Sequence, residues 1–321
     1  MAGNLFRRIL TRREFVRLGL LAAAGAAAGS WIQPLRRVFA DAGPIPTRFL
    51  GNTGANVTIV GMGGEGTLRT WGRQAEAAVI VQRALDLGIT YFDTAPAYSG
   101  SQDYYGAVLG ERRRGVFLAS KTHDRTRDGS LRLLDESLRR LRTDRLDLWQ
   151  LHNLNEVEEL EAIFGRGGAI HALEEAQRDG RVRFVGVTGH YDPAVLVEAI
   201  RRYRFDTVLA SLNAADRHRL SFIDRLLPEA VSRGVGVIGM KVVAKGALLR
   251  PGGIATMQEA LGYVLSLPIS TAIIGFQTAG EVEDAVRIAR GFEPLPSSER
   301  ARLEARAAPY AEDANWFKRP A

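Results

Sequence analysis

Ile89-Thr-Tyr-Phe-Asp-Thr-Ala-Pro-Ala-Tyr98 is the stretch on which the reading of this 321-residue chain turns. An apolar strand, Ile89 to Phe92, runs straight into an acid, Asp93, and five residues later into a tyrosine, Tyr98. Two later segments end the same way. Val116 to Ser120 runs into Lys121, and Leu146 to Leu151 runs into His152. In a closed parallel barrel the C-terminal strand ends share one face, so the pattern predicts that Asp93, Tyr98, Lys121 and His152 meet there although they span about 60 residues of sequence.

Outward from this stretch the chain alternates strand and helix patterns. Upstream, Thr47 to Leu50 and Asn56 to Thr58, joined by Gly51 to Gly54, read as a β-hairpin, and Ile59 to Gly64 reads as a buried strand ending in glycines. Ala75 to Leu87 is helical with Gly88 as its stop. Downstream, the apolar spacing predicts helices over Ser130 to Leu141, Ile170 to Arg178, Pro193 to Tyr203, Phe222 to Arg233, Met257 to Leu267 and Val282 to Ala289. The strands between them are Phe184 to Thr188, Thr207 to Ser211, Val235 to Met240 and Thr271 to Ile274. Eight strands alternating with helices after a hairpin predict an α/β (β/α)8 TIM barrel over residues 43–321, with a last helix, Ser298 to Ala308, outside the repeat. That helix is expected to have its serine as N-cap and Pro309 as its stop. A doubly wound sheet is the rival fold. Gly61-Met-Gly63-Gly64-Glu-Gly66 satisfies its phosphate-loop spacing, but Trp71 and Gly72 follow instead of a long helix.

The net charge of +7 would suggest nucleic acid or an anionic membrane if it were spread over the chain. It is not. Residues 1–40 hold seven arginines and one glutamate, which leaves +1 for the rest, and no basic stripe with interleaved aromatics occurs in the body, so no nucleic-acid partner is expected. The absence of cysteine excludes disulfides, thiolate metal sites and thiol nucleophiles. Thr11-Arg12-Arg13-Glu14-Phe15-Val16-Arg17 precedes an uncharged Ala/Leu/Gly run from Leu18 to Ile32, with small residues at Ala40 and Ala42. Residues 1–42 therefore resemble a twin-arginine (Tat) export signal with its linker. The expectation is recognition by the Tat machinery and delivery to the periplasm or another extracytoplasmic space. A retained membrane anchor is the rival reading, but the apolar run is shorter than the roughly 20 residues a bilayer span needs, so cleavage is expected and no stable membrane span after it. His123, Asp124, His152, His190 and His218 show no spacing typical of a metal site, and none is expected.

With strands and motifs in place, the chain resembles the aldo-keto reductase family from about Arg48 onward. Phe49-Leu50-Gly51 through Gly63 matches the family's hairpin and first strand. Phe92-Asp93-Thr94-Ala95 with Tyr98 matches its acid and tyrosine, and Ser120-Lys121 its lysine. Ser137 to Leu141 and Asp147-Leu148-Trp149-Gln150-Leu151-His152 match the approach to its histidine. The resemblance implies reduction of an aldehyde or ketone by hydride from a nicotinamide cofactor, NADP(H) ahead of NAD(H). In that chemistry Tyr98 is the general acid. An unperturbed phenol near 10 is a poor acid at neutral pH, so Lys121 is expected to lower its pKa, Asp93 to hold Lys121, and His152 to orient the carbonyl or help relay the proton.

The resemblance also assigns cofactor contacts to Gly63, Asp93, Thr188, Gly189, Asn213, Met240, Lys241, Gly275 and Gln277. Three positions depart from the family pattern. Thr188-Gly189-His190 stands for Ser-Asn, Leu209 for a glutamine, and Met240 for the aromatic that stacks on the nicotinamide. Glu281 and Glu283 follow the adenosine-phosphate loop without an arginine, with Lys241 or Lys245 as alternative phosphate contacts. These departures support a second reading, a catalytically weak cofactor-binding relative acting as a sensor or partner subunit. Phe117 and Trp149 are expected in or beneath the barrel, Trp71 and Trp316 near a pocket.

Overall fold

The computed structural model describes residues 43–318; the leader, residues 1–42, lies outside the described residues. The described chain opens with an antiparallel hairpin in which β1 (Thr47–Phe49) pairs with β2 (Asn56–Thr58). Gly51 in its turn has φ +54, and a Cβ there would lie 2.3 Å from the Gly236 nitrogen, so only glycine lets the hairpin press this close. Asn52 N–H donates to the Gly234 carbonyl at 2.9 Å and fixes the contact. Leu50 and Val57 are thereby buried against Tyr91, Phe117, Leu148 and Leu209 of the barrel interior, and the hairpin forms the barrel's floor.

Eight parallel strands close the barrel in sequence order: β3 (Val60–Gly63), β4 (Tyr91–Asp93), β5 (Phe117–Thr122), β6 (Leu146–Leu151), β7 (Val182–Gly189), β8 (Thr207–Ser211), β9 (Gly236–Met240) and β10 (Thr271–Ile274), which pairs back to β3. The expected (β/α)8 architecture is the one that forms. Side chains alternate along each strand. Tyr91, Phe117 and Phe184 point inward and stack with centroids 5.5 and 6.1 Å apart, while Trp149 is buried on the other face, among the residues that pack against the helices. Leu209 lies in the interior cluster with Ile238, below the mouth.

The surrounding helices are α1 (Gln74–Asp86), α2 (Ser101–Leu109), α3 (Arg127–Leu141), α4 (Glu158–Phe164), α5 (Ala169–Arg178), α6 (Pro193–Arg202), α7 (Phe222–Ser232), α8 (Met257–Leu265) and α9 (Ala279–Arg290). Two of them, α2 and α4, are absent from the sequence reading. The buried face of α2 is Ser101, Gln102, Tyr104, Tyr105, Gly106 and Leu109, which gives no apolar stripe to recognise. Gln102 donates to Ser120 and Ser137 at 3.0 and 2.8 Å, so its amide nitrogen is buried against polar partners. The short α4 buries only Leu160 and Ile163.

The last long helix, α10 (Ser297–Ala307), starts one residue earlier than expected. Pro296 occupies its N-cap with no side-chain cap, so Ser298 is not the cap; Pro309 sits in a 3-10 turn that leads on to α11 (Ala311–Ala314). The segment after α11 returns to the barrel. Lys318, buried, donates to the Asp216 carboxylate at 2.5 Å and to the Arg219 carbonyl at 2.7 Å. Asp216 also accepts from the Ser221 hydroxyl and the Ile223 N–H, so the buried pair is fully hydrogen-bonded. No helix of the described residues is long and apolar enough to cross a membrane.

Candidate active site

Strand register delivers the four residues singled out in sequence to one rim. Asp93 closes β4, Lys121 lies opposite Gln150 across β5 and β6, and His152 follows the end of β6. The Lys121 ammonium donates to the Asp93 carboxylate and, at 2.8 Å, to the Thr94 carbonyl. The Tyr98 hydroxyl is 3.5 Å from His152 Nε2, and Lys121 Nζ is 5.0 Å from the centre of the tyrosine ring. Arg69 also contacts this ring, at 5.2 Å. Gln150, absent from the sequence-based set, donates to the second Asp93 oxygen at 3.1 Å and so holds the carboxylate from the β6 side. Its signal was the two-residue period: Leu148, Gln150 and His152 share one face.

The electrostatics differ from expectation at Tyr98. Burial, then the Asp93 and Glu65 carboxylates, hold its phenol well above the usual range, with Arg69 opposing. The Lys121 ammonium, 5.0 Å from the ring and bonded to Asp93 and the Thr94 carbonyl, does not outweigh them. Tyr98 thus keeps its proton at neutral pH. Burial raises the Asp93 pKa against the attraction of Lys121, and burial lowers that of Lys121 against the attraction of Asp93. The His152 imidazole is held well below its ordinary value, first by burial and then by Lys121, His123, Arg125 and His190, and it is neutral at pH 7.

Beside these groups a cleft of about 700 Å³ opens over the ends of β3, β9 and β10. Gly63, Asp93, Met240, Lys241, Gly275 and Gln277 line it, together with Glu65, Arg69, Lys245 and Glu281. Thr188, Gly189 and Asn213 lie outside its walls. The Thr188 hydroxyl accepts from Asn153 N–H at 2.8 Å, a Cβ on Gly189 would sit 2.9 Å from the Leu154 carbonyl, and the Asn213 amide bridges Ala215 N–H and the Lys241 carbonyl. The size suits an extended dinucleotide. Glycines at positions 63, 64, 66 and 275 keep the near wall free of side chains; a Cβ on Gly275 would approach that of Glu65 to 2.7 Å. The residues present therefore fit a nicotinamide dinucleotide.

The mouth is built under strain. Ser99, Asn153, Lys241, Ala244 and Lys245, none of them glycine, have φ between 40 and 60. Such residues cost about 1–3 kcal/mol each and cluster where function over-determines the backbone. Lys241 sits over the Trp316 ring at 6.0 Å, and burial brings its ammonium down to about 8. His190, edge-on to Phe317 at 5.9 Å, has its pKa lowered to about 4, by burial first, then by Lys241, with Lys245 adding and Glu65 opposing. The folded protein therefore binds fewer protons here than the unfolded chain between about pH 6.5 and 4, and stability falls as pH drops through that window. The His190→Gln variant should show a shallower loss of thermal midpoint over this range; equal slopes would remove His190 as a cause.

Trp71 and Trp316 are exposed, at 61% and 41%, and Arg140 lies over the Trp71 ring at 5.5 Å. Among the described residues no group of three or more His, Cys, Asp or Glu is placed to hold a metal ion.

Comparison with known proteins agrees with this architecture. The Aldo/keto reductase family profile matches residues 59–260. The chain is 28% identical over 311 residues to L-galactose dehydrogenase of Arabidopsis thaliana, covering 82% of this chain and 94% of that one. It is 31% identical over 165 residues to 6-dehydroglucose reductase of Novosphingobium aromaticivorans, covering 45% and 52%. The apo form of an aldo-keto reductase from Bacillus halodurans superposes with a TM-score of 0.67 at 26% identity, covering 82% of this chain and 96% of that one. A barrel with its acid, tyrosine, lysine and histidine gathered at one rim, and a profile match through most of the repeat, place the chain in the aldo/keto reductase family.

Proposed function

We propose that the protein is a nicotinamide-dependent oxidoreductase that interconverts a carbonyl and an alcohol on a small, sugar-like substrate, with Tyr98 as the proton donor in the reducing direction. The observation that carries this reading is the meeting of Tyr98, His152 and the buried Asp93–Lys121 pair beside the cleft. When bound, the cofactor supplies or accepts the hydride at the reacting carbon. Gly63, Met240, Lys241, Gly275 and Gln277 would hold it. Tyr98 gives its proton to the carbonyl oxygen, neutral His152 shares a hydrogen bond with that oxygen and the phenol, and Lys121 stabilises the developing phenolate through space. Two relatives named for carbohydrates favour a polyhydroxylated substrate.

The test follows nicotinamide absorbance with aldoses, ketoses and simple alkanals, in both directions. A site that hydrogen-bonds hydroxyl groups should favour the sugars by about tenfold or more. Dinucleotide binding without turnover of any carbonyl or alcohol would shift the reading to the sensor or partner subunit. We also propose Tat-dependent export through residues 1–42. Replacing Arg12 and Arg13 by lysine should leave the precursor in the cytoplasm, and unimpaired export would end this part of the proposal.

A further inference from the structure

The cleft has two regions of opposite charge. Tyr98 and Asp93 stand at the barrel rim, so hydride transfer requires the nicotinamide end of a dinucleotide there. The cleft runs from that rim over β3 and β10 toward α9, where Gln277, Glu281 and Asp284 form the wall and where the adenosine end would lie. The cations sit closer to the reacting end. Arg69 pairs with Glu65 at 2.7 Å and contacts the Tyr98 ring, Lys245 Nζ is 3.8 Å from the same Glu65, and Lys241 and Lys245 both lie over Trp316. From Gly275 to Asp284 the wall holds no lysine or arginine.

In barrels of this kind the loop after the eighth strand and a following helix N-terminus often bind phosphate. Here that position is filled from within the chain. The Glu281 carboxylate accepts from Gln277 N–H at 2.6 Å, and the Thr278 hydroxyl accepts from Glu281 N–H at 3.3 Å, so two of the amides at this helix start are used by the helix's own cap. The first turn of α9 already carries its anion.

We infer that the cleft selects the dinucleotide without a 2′-phosphate, NAD(H), and rejects NADP(H), with Glu281 as the specificity-determining residue. The inference rests on the dinucleotide-binding reading above and reverses the order of preference that the family resemblance implies. A ribose hydroxyl donates to a carboxylate; a phosphate in its place meets like charge.

The experiment is an equilibrium titration of the full chain with NADH and with NADPH, followed by cofactor fluorescence and by the shift in thermal midpoint, at low and high salt. The expected result is NADH binding at least about tenfold tighter than NADPH, with the gap narrowing as salt screens the repulsion. Glu281→Gln retains an acceptor for the Gln277 amide but not the charge, and should close the gap by strengthening NADPH. Glu281→Arg should reverse it. Equal or tighter NADPH binding by the unaltered protein, or a gap that Glu281→Gln leaves in place, overturns the inference. Binding of neither cofactor by folded protein overturns the underlying reading, and the inference with it.

Discussion

Tyr98→Phe is expected to cut turnover by at least about a hundredfold while dinucleotide binding stays near that of the unaltered protein. Phenylalanine keeps the ring, and with it the contacts of Lys121 at 5.0 Å and Arg69 at 5.2 Å. Only the hydroxyl is lost. At 3.5 Å its contact with His152 Nε2 is too long to hold much folding energy, so stability should be little changed. The loss therefore isolates the proton transfer. Because burial keeps the phenol protonated, the reducing direction should show no decline at neutral pH from Tyr98 ionisation. Single-turnover kinetics with prebound cofactor separate the chemical step from binding, and carbonyl reduction at the unaltered rate in this variant would remove Tyr98 from the mechanism.

Lys121→Met acts on stability and chemistry together. Lys121 and Asp93 are both fully buried, and removal of the ammonium leaves the carboxylate with Gln150 as its remaining side-chain donor, at 3.1 Å. Breaking one side of such a pair costs about 3–5 kcal/mol, measurable by denaturant titration. The sign of the pH dependence follows from the carboxyl. Its folded pKa, already raised by burial, rises further without the lysine, so the variant gains stability as pH falls and loses it as pH rises through that value. Adding Asp93→Asn removes the stranded charge and should recover part of the stability but none of the turnover. A single variant as stable as the parent protein would show that the pair is neutral in the folded state.

How much of this was legible follows from what each residue signals. Asp93, Lys121 and His152 each end an apolar strand, and the period of those strands is enough to predict both the barrel and their convergence. Tyr98 lies in a loop and was readable only by its distance from Asp93. Gln150 carried a weaker form of the same signal, a polar residue on the inward face of β6. The helix α2 was not readable because its buried face is polar and finds partners from β5 and α3, a match that exists only in three dimensions. The state of Tyr98 differs from expectation for a related reason. Sequence places a cation near the phenol, but it does not say where the ammonium's hydrogen bonds point. Glu281 was visible as an acid in the eighth loop, whereas its use as the cap of its own helix required the backbone.

The pairing of Lys318 with Asp216 also sets an order in time. The two residues lie 102 positions apart, and at ordinary rates of translation the carboxylate is made roughly 5–20 s before the lysine that neutralises it. Until then Asp216 has no cation to accompany it into the interior, and Phe317, which lies against His190, has no anchor. The barrel strands are all synthesised by then, but one wall of the mouth is not. The last residues translated thus supply the counter-charge for an acid buried a hundred positions earlier, together with the aromatic contact to His190.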